Sequence, residues 1–275
     1  FSLGAALAML HEGAAEDGKD ELTQLLLKGH TSDEVAAFYS TLTKAMSSED
    51  DGKNTAATTA NRLYIDQSFM ILDEYRSRIR EQFGAGVETL SFIQAKSAAD
   101  EINRFVEEKT KKKIKELVNA DSIANSAAVL VNAVHFKESW KMEFQKSHTK
   151  HETFFGVDRE RQEPFMHQRQ VPARFGRLDD VTTLALDYKD TTYSMIILLP
   201  DESKFETVRA SLTAKKLFEI INQLRKENID VSLPKFTIDS SLDGAKALRA
   251  LDVSAIFDKA GSLAGISRDG RLKVS

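Results

Sequence analysis

LVNAVHFKESWKMEF, residues 130–144, is the stretch of sequence that decides how this chain folds. It is a nearly continuous apolar run that contains one amide, Asn132, and leads to the single tryptophan, Trp140. Such a run is typical of a strand covered on both faces, because a half-exposed strand alternates apolar with polar residues. The stretch therefore predicts a central strand of a buried sheet, and it places the tryptophan near the end of that strand.

Asn132 is the one amide in the apolar part of this strand. Side chains alternate between the two faces of a strand, which separates the residues into two sets. One face carries Val129, Val131, Ala133 and His135, and the other carries Leu130, Asn132, Val134 and Phe136. A buried amide without a hydrogen bond costs about 1–3 kcal/mol. We therefore expect Asn132 to be bonded, either to nearby backbone or within a functional network of side chains.

The composition indicates a globular chain and argues against a membrane span, a nucleic-acid partner and thiol chemistry. Hydrophobic residues make up 41% of the 275 residues, which is enough for a sizeable core. No apolar run approaches the ~20 residues of a membrane span, so we expect no membrane partner. The formal charge of −4 and the pI near 5.9 give no electrostatic case for nucleic acid as the main partner. The absence of cysteine excludes disulfides and thiol chemistry.

Hydrophobic periodicity divides the chain into a helical first part, a mixed middle and a strand-rich later part. Helical spacing covers residues 1–27, with breaks at Gly13 and Gly18, and then 32–46, 71–83, 95–118, 205–224 and 241–251. Strand patterns cover residues 58–69, 151–155, 171–176, 182–188, 191–200 and 231–239. The polar segment SSEDDGKNT at 47–55 is typical of a connector. This mixture predicts the α+β class.

Two local signals refine the later part of the chain. Only Lys189 and Asp190 separate two strand patterns, which predicts a hairpin. Pro234 interrupts another strand pattern and should mark a sheet edge, a bend or a change of sheet, because proline cannot donate to a ladder. No internal repeat or low-complexity linker divides the chain, so we predict a single domain over residues 1–275.

Two motifs of enzymes and nucleotide-binding proteins are approached but not completed, and a third is absent. The spacing from Gly13 to Gly18 resembles a phosphate-binding loop, yet Asp20 stands where a Ser or Thr should bind magnesium. The dipeptides at His11 and His151 begin like a zinc-protease helix, but the second histidine is missing in both. No G-x-S-x-G elbow occurs. We expect no metal, no cofactor and no catalytic residue, and a hydrolytic enzyme is the weakest hypothesis.

The lysine run at 109–115, KTKKKIK, has two interpretations. Clustered ammonium groups attract phosphate or sulfate, so the run could bind a polyanion. The acidic residues Glu107, Glu108 and Glu116 flank it, which favours a solvated helix face. The aromatic residue nearby, Phe105, has core spacing and does not indicate a stacking platform. Heparin-type activation is therefore not expected from this segment.

Seven segments, taken in order and spacing, are similar to the serpin family, and the resemblance covers essentially the whole chain. They are FSLGAALAML at 1–10, ANRLYIDQ at 60–67, INRFVEEKTKKKIKELV at 102–118, LVNAVHFKESW at 130–140, ETFF at 152–155, MIILLP at 195–200 and VSLPKFTID at 231–239. The resemblance implies a large central mixed sheet, two smaller sheets and eight or nine helices. It also implies that the chain is incomplete at both ends, with the first helix, the reactive loop and the last strands missing.

The resemblance also implies site residues. Ser2 and Asn132 match the family's "shutter", where the central sheet must part for a strand to enter. Trp140, Thr149 and Lys235 match the "breach", at the end of the sheet where insertion begins. The chain departs from the family pattern at Glu138, where a small residue is common, and at His135, where an aromatic is usual. Neither departure touches a shutter or breach position.

The function that the resemblance implies is irreversible suicide inhibition of a serine protease, with a cysteine protease as the alternative target. The protease cleaves a reactive loop, is trapped as an acyl-enzyme, and is displaced when the loop inserts as a strand into the central sheet. The loop and scissile bond are expected after Ser275. The alternative is a non-inhibitory serpin that acts as a carrier, storage protein or chaperone. We expect a monomer capable of loop-sheet polymerisation, located extracellularly, with the cytoplasm as the alternative.

Overall fold

The computed structural model describes residues 2–46, 57–156, 159–237 and 243–274. The predicted connector at 47–55 lies outside the described residues. The chain divides into two compact units, a first unit of residues 1–137 with 241–275 and a second unit of residues 138–240. We describe each unit by itself.

The elements follow in chain order. The helices are α1 (Ser2–Gly13), α2 (Glu16–Leu26), α3 (Ser32–Met46), α4 (Asp73–Phe83), α5 (Ala95–Lys109), α6 (Ala120–Ile123), α7 (Phe205–Ser211), α8 (Ala214–Asn222), α9 (Gly244–Arg249) and α10 (Ala255–Asp258). The strands are β1 (Ala57–Asp66), β2 (Gly86–Leu90), β3 (Ala128–Phe136), β4 (Thr149–Phe155), β5 (Glu160–Leu178), β6 (Val181–Asp187), β7 (Ser194–Pro200) and β8 (Arg225–Pro234). Short 3₁₀ turns lie at Phe92–Gln94 and Lys146–His148.

The first unit contains a mixed sheet with strand order β2-β1-β3. β1 runs parallel to β2 and antiparallel to β3. One face of the sheet packs against a core that includes Met9, Leu63 and Leu130, and the other against a core that includes Ile102 and Val131. The prediction that β3 is covered on both faces is therefore confirmed as far as Ala133, whereas Val134 and Phe136 are exposed.

The prediction that this strand extends through residues 130–144 is wrong at its far end. β3 ends at Phe136, where the exposed fraction of the side chain has already risen to 41%. The polar residues Lys137, Glu138 and Ser139 follow, and they offer no apolar side chain to continue either buried face. Trp140 forms an isolated antiparallel bridge with Tyr188 in the second unit.

Packing explains the glycine spacing near the start of the chain. The predicted break at Gly13 is confirmed, because α1 ends there. The helix predicted at 32–46 is confirmed by α3. Gly18 lies inside α2, and a Cβ atom there would approach Ser262 Cβ to 2.9 Å. Such a contact requires a shift of the backbone or the neighbour. Gly18 is therefore required by the packing of α2 against the segment around Ser262.

The predicted helix over 95–118 is wrong beyond Lys109, where α5 ends. The buried hydroxyl of Thr110 donates to the Val106 carbonyl at 2.7 Å and accepts the N–H of Ile114 at 3.1 Å. A side chain that bonds the backbone in this way competes with helix continuation. Lys111 and Lys112 then adopt left-handed backbone angles, with φ of 51° and 63°.

The second unit contains one antiparallel sheet in which β4, β5, β6 and β7 are neighbours and β8 pairs with β5. β5 is 19 residues long and carries an irregularity between Gln168 and Val171. It pairs with β4 before the irregularity and with β6 after it, so the strands from β4 onward form one sheet. The hairpin predicted at residues 189–190 is confirmed by the pairing of β6 with β7. Pro234 is the last residue of β8, and among the described strands β8 pairs with β5 alone, so the proline lies on an edge strand.

The α+β class is confirmed, with one mixed and one antiparallel sheet among the described residues. The prediction that residues 1–275 form a single domain stays a prediction.

Candidate functional site

Asn132 lies at the middle of β3, directly opposite Asn61 of β1. Its Nδ2 group donates a hydrogen bond to Oδ1 of Asn61, and both side chains are half-buried. The expectation that Asn132 is bonded is confirmed, and its partner is a side chain of the adjacent strand. The pair joins β1 to β3 through their side chains in addition to the backbone ladder.

β3 has one edge that pairs with β1 and one outer edge. On the outer edge Ala128 forms a parallel bridge with Val274. Among the described residues, no other strand pairs with β3 on that side. Pairing on the outer edge of β3 therefore begins at Ala128, where the segment around Val274 lies parallel to it.

Ser2, the other predicted shutter residue, is the first residue of α1. Its side chain lies outside the part of the chain that the structure describes. α1 contacts both β1 and β3, so the helix that begins at Ser2 packs beneath the strands that carry the asparagine pair.

Trp140 lies in the second unit, in an aromatic cluster. Its ring stacks on Tyr188 with centroids 4.7 Å apart and an interplanar angle of 9°. Phe144 contacts the same indole edge-on, at 6.2 Å and 80°. Offset stacks and edge-on pairs are the favoured aromatic geometries and add about 0.5–1.5 kcal/mol each. Burial raises the pKa of the Tyr188 phenol above its ordinary value.

Lys235 shares a cavity with this aromatic cluster. The cavity has a volume of about 540 Å³ and is lined by Trp140, Tyr188, Met166, Lys235 and Phe236 among others. The Lys235 N–H donates to the Pro164 carbonyl at 2.8 Å, which continues the β5–β8 pairing by one residue. The Lys235 side chain is exposed and forms no ion pair with the described residues.

Thr149 opens β4, and its N–H donates to the Lys146 carbonyl. Its Cα partner across the ladder is Met166, which in turn pairs with Leu233 on β8. The structure therefore places Trp140 and Lys235 on one cavity and Thr149 one strand away, opposite a residue that lines the cavity. The roles of these three residues in a breach stay predictions.

Two residues of these clusters are absent from the sequence-based expectations. Asn61 is an amide in the predicted strand ANRLYIDQ, and the same reasoning that singled out Asn132 applies to it. Tyr188 carries no local signal, because only the loop around Trp140 brings the two rings together.

Two negative findings concern the described residues only. They contain no group of three or more His, Asp or Glu side chains arranged to hold a metal ion. They also contain no helix that is both long enough and apolar enough to cross a membrane.

Comparisons with known proteins agree on one protein family. The family profile described as "Serpin (serine protease inhibitor)" matches residues 1–275. Iripin-3 of Ixodes ricinus is 32% identical over 100% of this chain, which spans 71% of that protein. The structure of native protease nexin-1 with heparin is similar with a TM-score of 0.88 at 26% identity, covering 98% of this chain and 75% of that one. The thyroxine-binding globulin complex with thyroxine has a TM-score of 0.89 at 27% identity, covering 100% of this chain and 75% of that one.

Proposed function

Because the chain belongs to the serpin family, we propose that the intact protein inhibits a serine protease irreversibly. A protease cleaves an exposed reactive loop and forms an acyl-enzyme with it. The freed loop then enters the mixed sheet as a new strand and traps the enzyme before deacylation. The chain supplies no catalytic group of its own in this mechanism, because the nucleophile and base belong to the protease.

The observation that carries this proposal is the outer edge of β3. Ala128 and Val274 form a parallel bridge at its start, so this edge pairs with a second segment of the chain in addition to β1 on the other edge. Strand addition needs such an edge, because the entering strand is held mainly by main-chain hydrogen bonds. If ~10 net hydrogen bonds form at about 1 kcal/mol each, insertion yields on the order of 10 kcal/mol. That is comparable to the whole stability of an ordinary domain, ~5–15 kcal/mol.

The site residues have separate proposed roles. Ser2 and Asn132 act as the shutter, and the bond from Asn132 to Asn61 holds β3 against β1 while the sheet parts on the outer side of β3. Trp140, Thr149 and Lys235 act as the breach. The exposed Lys235 side chain lines the same cavity as Trp140 and forms no ion pair with a described residue, so it is suited to holding a carboxylate of the loop's first part before cleavage.

We further propose that the protein is monomeric before it meets a protease and that it acts outside the cell. The same edge that accepts its own loop once the sheet parts would accept the loop of a second copy, so heating should produce loop-sheet polymers. A cysteine protease remains the alternative target, because it also forms an acyl-enzyme.

A non-inhibitory role is the second candidate function. The similarity to a thyroxine-binding globulin complex favours it, since that protein carries a small molecule on the same fold. In this case a protease would cleave the loop without becoming trapped, and the cleaved protein would gain little stability.

The deciding experiment mixes the intact protein with a panel of serine proteases and a panel of cysteine proteases. Inhibition predicts an SDS-resistant band at the summed mass of the two partners less the C-terminal peptide released by cleavage, and a large rise in the melting temperature of the cleaved protein. Cleavage across both panels, with neither the covalent band nor the gain in thermal stability, would eliminate the inhibitory proposal and favour the carrier role.

A further inference from the structure

The cavity beside Trp140, with a volume of about 540 Å³, has the size of a small-molecule site. All of its lining residues belong to residues 138–240, the second unit. Pockets that hold small organic molecules have volumes of about 300–1,000 Å³. A compact molecule of a few rings therefore fits, and we call this space the tryptophan cavity.

One wall of the tryptophan cavity is flat and aromatic. The Trp140 ring stacks on the Tyr188 ring with an interplanar angle of 9°. The backbone holds the two residues together, because they form an antiparallel bridge and the N–H of Lys141 donates to the Asp187 carbonyl at 3.0 Å. Aromatic faces pack well against other flat rings. This wall is therefore complementary to a planar apolar molecule.

The other walls are mostly apolar. Met166 of β5, Met195 of β7 and Leu233 of β8 line the cavity, and methionine side chains adapt to ligands of different shape. Phe236 also lines it, although 55% of its surface is exposed. Water finds few hydrogen-bond partners in such surroundings. An apolar group that displaces this water therefore gains affinity.

Lys235 is the only charged residue among those that line the cavity. Its N–H donates to the Pro164 carbonyl at 2.8 Å, which fixes the backbone from which the side chain extends. The side chain is exposed and forms no ion pair with a described residue. No carboxylate is among the lining side chains, so the lining has a net positive charge. An occupant with one negative group is therefore electrostatically complementary to the cavity.

We propose that the tryptophan cavity binds a small amphipathic molecule that has a flat apolar body and one carboxylate. The body packs against the wall of Trp140 and Tyr188 and between the methionines, and the Lys235 ammonium holds the carboxylate. A neutral molecule of the same shape keeps the apolar contacts and loses the ion pair. A small carboxylate without the body keeps only an exposed ion pair, which contributes little. Full affinity therefore requires both parts of the molecule.

Occupancy of the cavity also affects protease trapping, a step that rests on the proposed function. Trp140 and Lys235 are two of the three proposed breach residues, and the proposed role of Lys235 is to hold a carboxylate of the loop. A ligand carboxylate on the same ammonium competes with the loop. Strand insertion then starts more slowly, so more of the acyl-enzyme is hydrolysed before it is trapped. The ligand should therefore convert part of the inhibition into simple cleavage.

The experiment measures binding to the intact protein by calorimetry and by the NMR signal of the indole N–H of Trp140, the only tryptophan. The probes are naphthalene carboxylate, the neutral naphthalene carboxamide, and acetate, which separate the contributions of the apolar body and the charge. The variants are Lys235→Gln and Phe236→Ala, and both replace exposed side chains. The matched controls are Lys226→Gln on β8 and Phe218→Ala on α8, which replace exposed side chains that do not line the cavity.

The carboxylate should shift the indole signal and bind roughly two- to fivefold more tightly than the carboxamide, whereas acetate should leave the signal in place. Lys235→Gln should abolish the difference between the two naphthalene probes, and Phe236→Ala should weaken both. The two controls should bind like the wild type. An indole signal that the carboxylate does not move would overturn the proposal, as would equal affinity of the two probes or a difference that survives Lys235→Gln.

The effect on trapping is measured separately, as the fraction of protein in the SDS-resistant band with and without saturating naphthalene carboxylate. The fraction should fall for the wild type and for Lys226→Gln, and the carboxamide should lower it less. An unchanged fraction at saturation would overturn the competition with the loop. Absence of the covalent band under every condition would refute the proposed inhibitory function instead, and the binding results would still decide whether the cavity is a ligand site.

Discussion

His11 should make the stability of the protein fall as the solution becomes acidic. It lies on α1 with only 2% of its surface exposed. Its Nε2 atom is 3.0 Å from the Thr23 hydroxyl on α2, and the Lys19 ammonium is 3.4 Å from Nδ1. Lys19 also donates to the His11 carbonyl at 2.7 Å. The imidazole is therefore buried beside a cation, which favours its neutral form.

The expected change in the free energy of unfolding follows from the shift in the pKa of His11. Burial, and then the charge of Lys19, lower the pKa of His11 from 6.5 to about 4. Between these two values the unfolded chain binds a proton that the folded chain does not, so unfolding becomes easier as the pH falls. Each pH unit in this window is worth about 1.4 kcal/mol, which gives about 3 kcal/mol in total. The contribution is fully present above about pH 6.5 and fully lost below about pH 4.

The assay compares denaturant unfolding of the wild type and of His11→Gln from about pH 4 to pH 8, the range in which histidine titrates. Glutamine can keep a bond to Thr23 but cannot titrate. The difference between the two unfolding free energies should fall by about 3 kcal/mol as the pH drops. His30→Gln is the control, because the His30 side chain is 70% exposed. A flat difference curve for His11→Gln, or an NMR titration of His11 near pH 6.5, would refute this reasoning.

Three further predictions concern other contacts. Asn132→Ala and Asn61→Ala should each lower the unfolding free energy by about 1–3 kcal/mol, because each leaves a half-buried amide unpaired. If the two single effects simply add in a double-mutant cycle, the two side chains are not coupled. Thr110→Val should lower the free energy of unfolding by about 1–2 kcal/mol, because a hydroxyl with two backbone partners is lost. It should also speed amide exchange in residues 110–115, and unchanged exchange would contradict the anchoring role of Thr110. Tyr188→Leu should shift the emission of Trp140, the only tryptophan, to longer wavelength by removing its stacked neighbour; an unaltered spectrum would place the indole elsewhere.

Elements with a strong local signal could be predicted from the sequence, and elements formed by pairing could not. The helix at 32–46 and the buried part of β3 have periodicity that is visible within the segment itself. β2 is only five residues long, and its strand conformation depends on parallel pairing with β1. The first half of β5 is polar and contains Pro164, yet it is a strand because β4 and β8 pair with it on either side. Tertiary pairing overrides weak local propensity in both cases.

In residues 110–115 the error is the opposite one, because a clear local pattern predicts a helix that the structure does not contain. Apolar residues at 114, 117 and 118 keep helical spacing after Lys109, so the periodicity predicts one long helix. One threonine hydroxyl ends that helix, and the lysines after it take left-handed backbone angles that lysine rarely adopts. Neither feature has a pattern that could be recognised without the structure. The interpretation of the lysines as a helix face depended on this error.

Part of the candidate site could be predicted from the hydrogen-bonding needs of single residues. An amide inside an apolar strand requires a partner, and this requirement was sufficient to single out Asn132. The identity of the partner depends on strand register, because a slip of one residue would move Asn61 to the opposite face. The sequence contains no information on that register apart from the buried pattern of both strands. The Trp140–Tyr188 stack depends in the same way on a loop geometry that only the structure gives.

β3 is covered on both faces as far as Ala133, and it pairs with β1 on one edge and, through Ala128, with Val274 on the other. Moving the covered part of β3 outward would expose core side chains on both faces, at about 25 cal/mol for each Å² of apolar surface. The bond from Asn132 to Asn61 holds the inner edge, so strand addition at the outer edge leaves it intact. Loss of this pair should therefore weaken the sheet itself, whereas a covered outer edge should block strand addition without loss of stability.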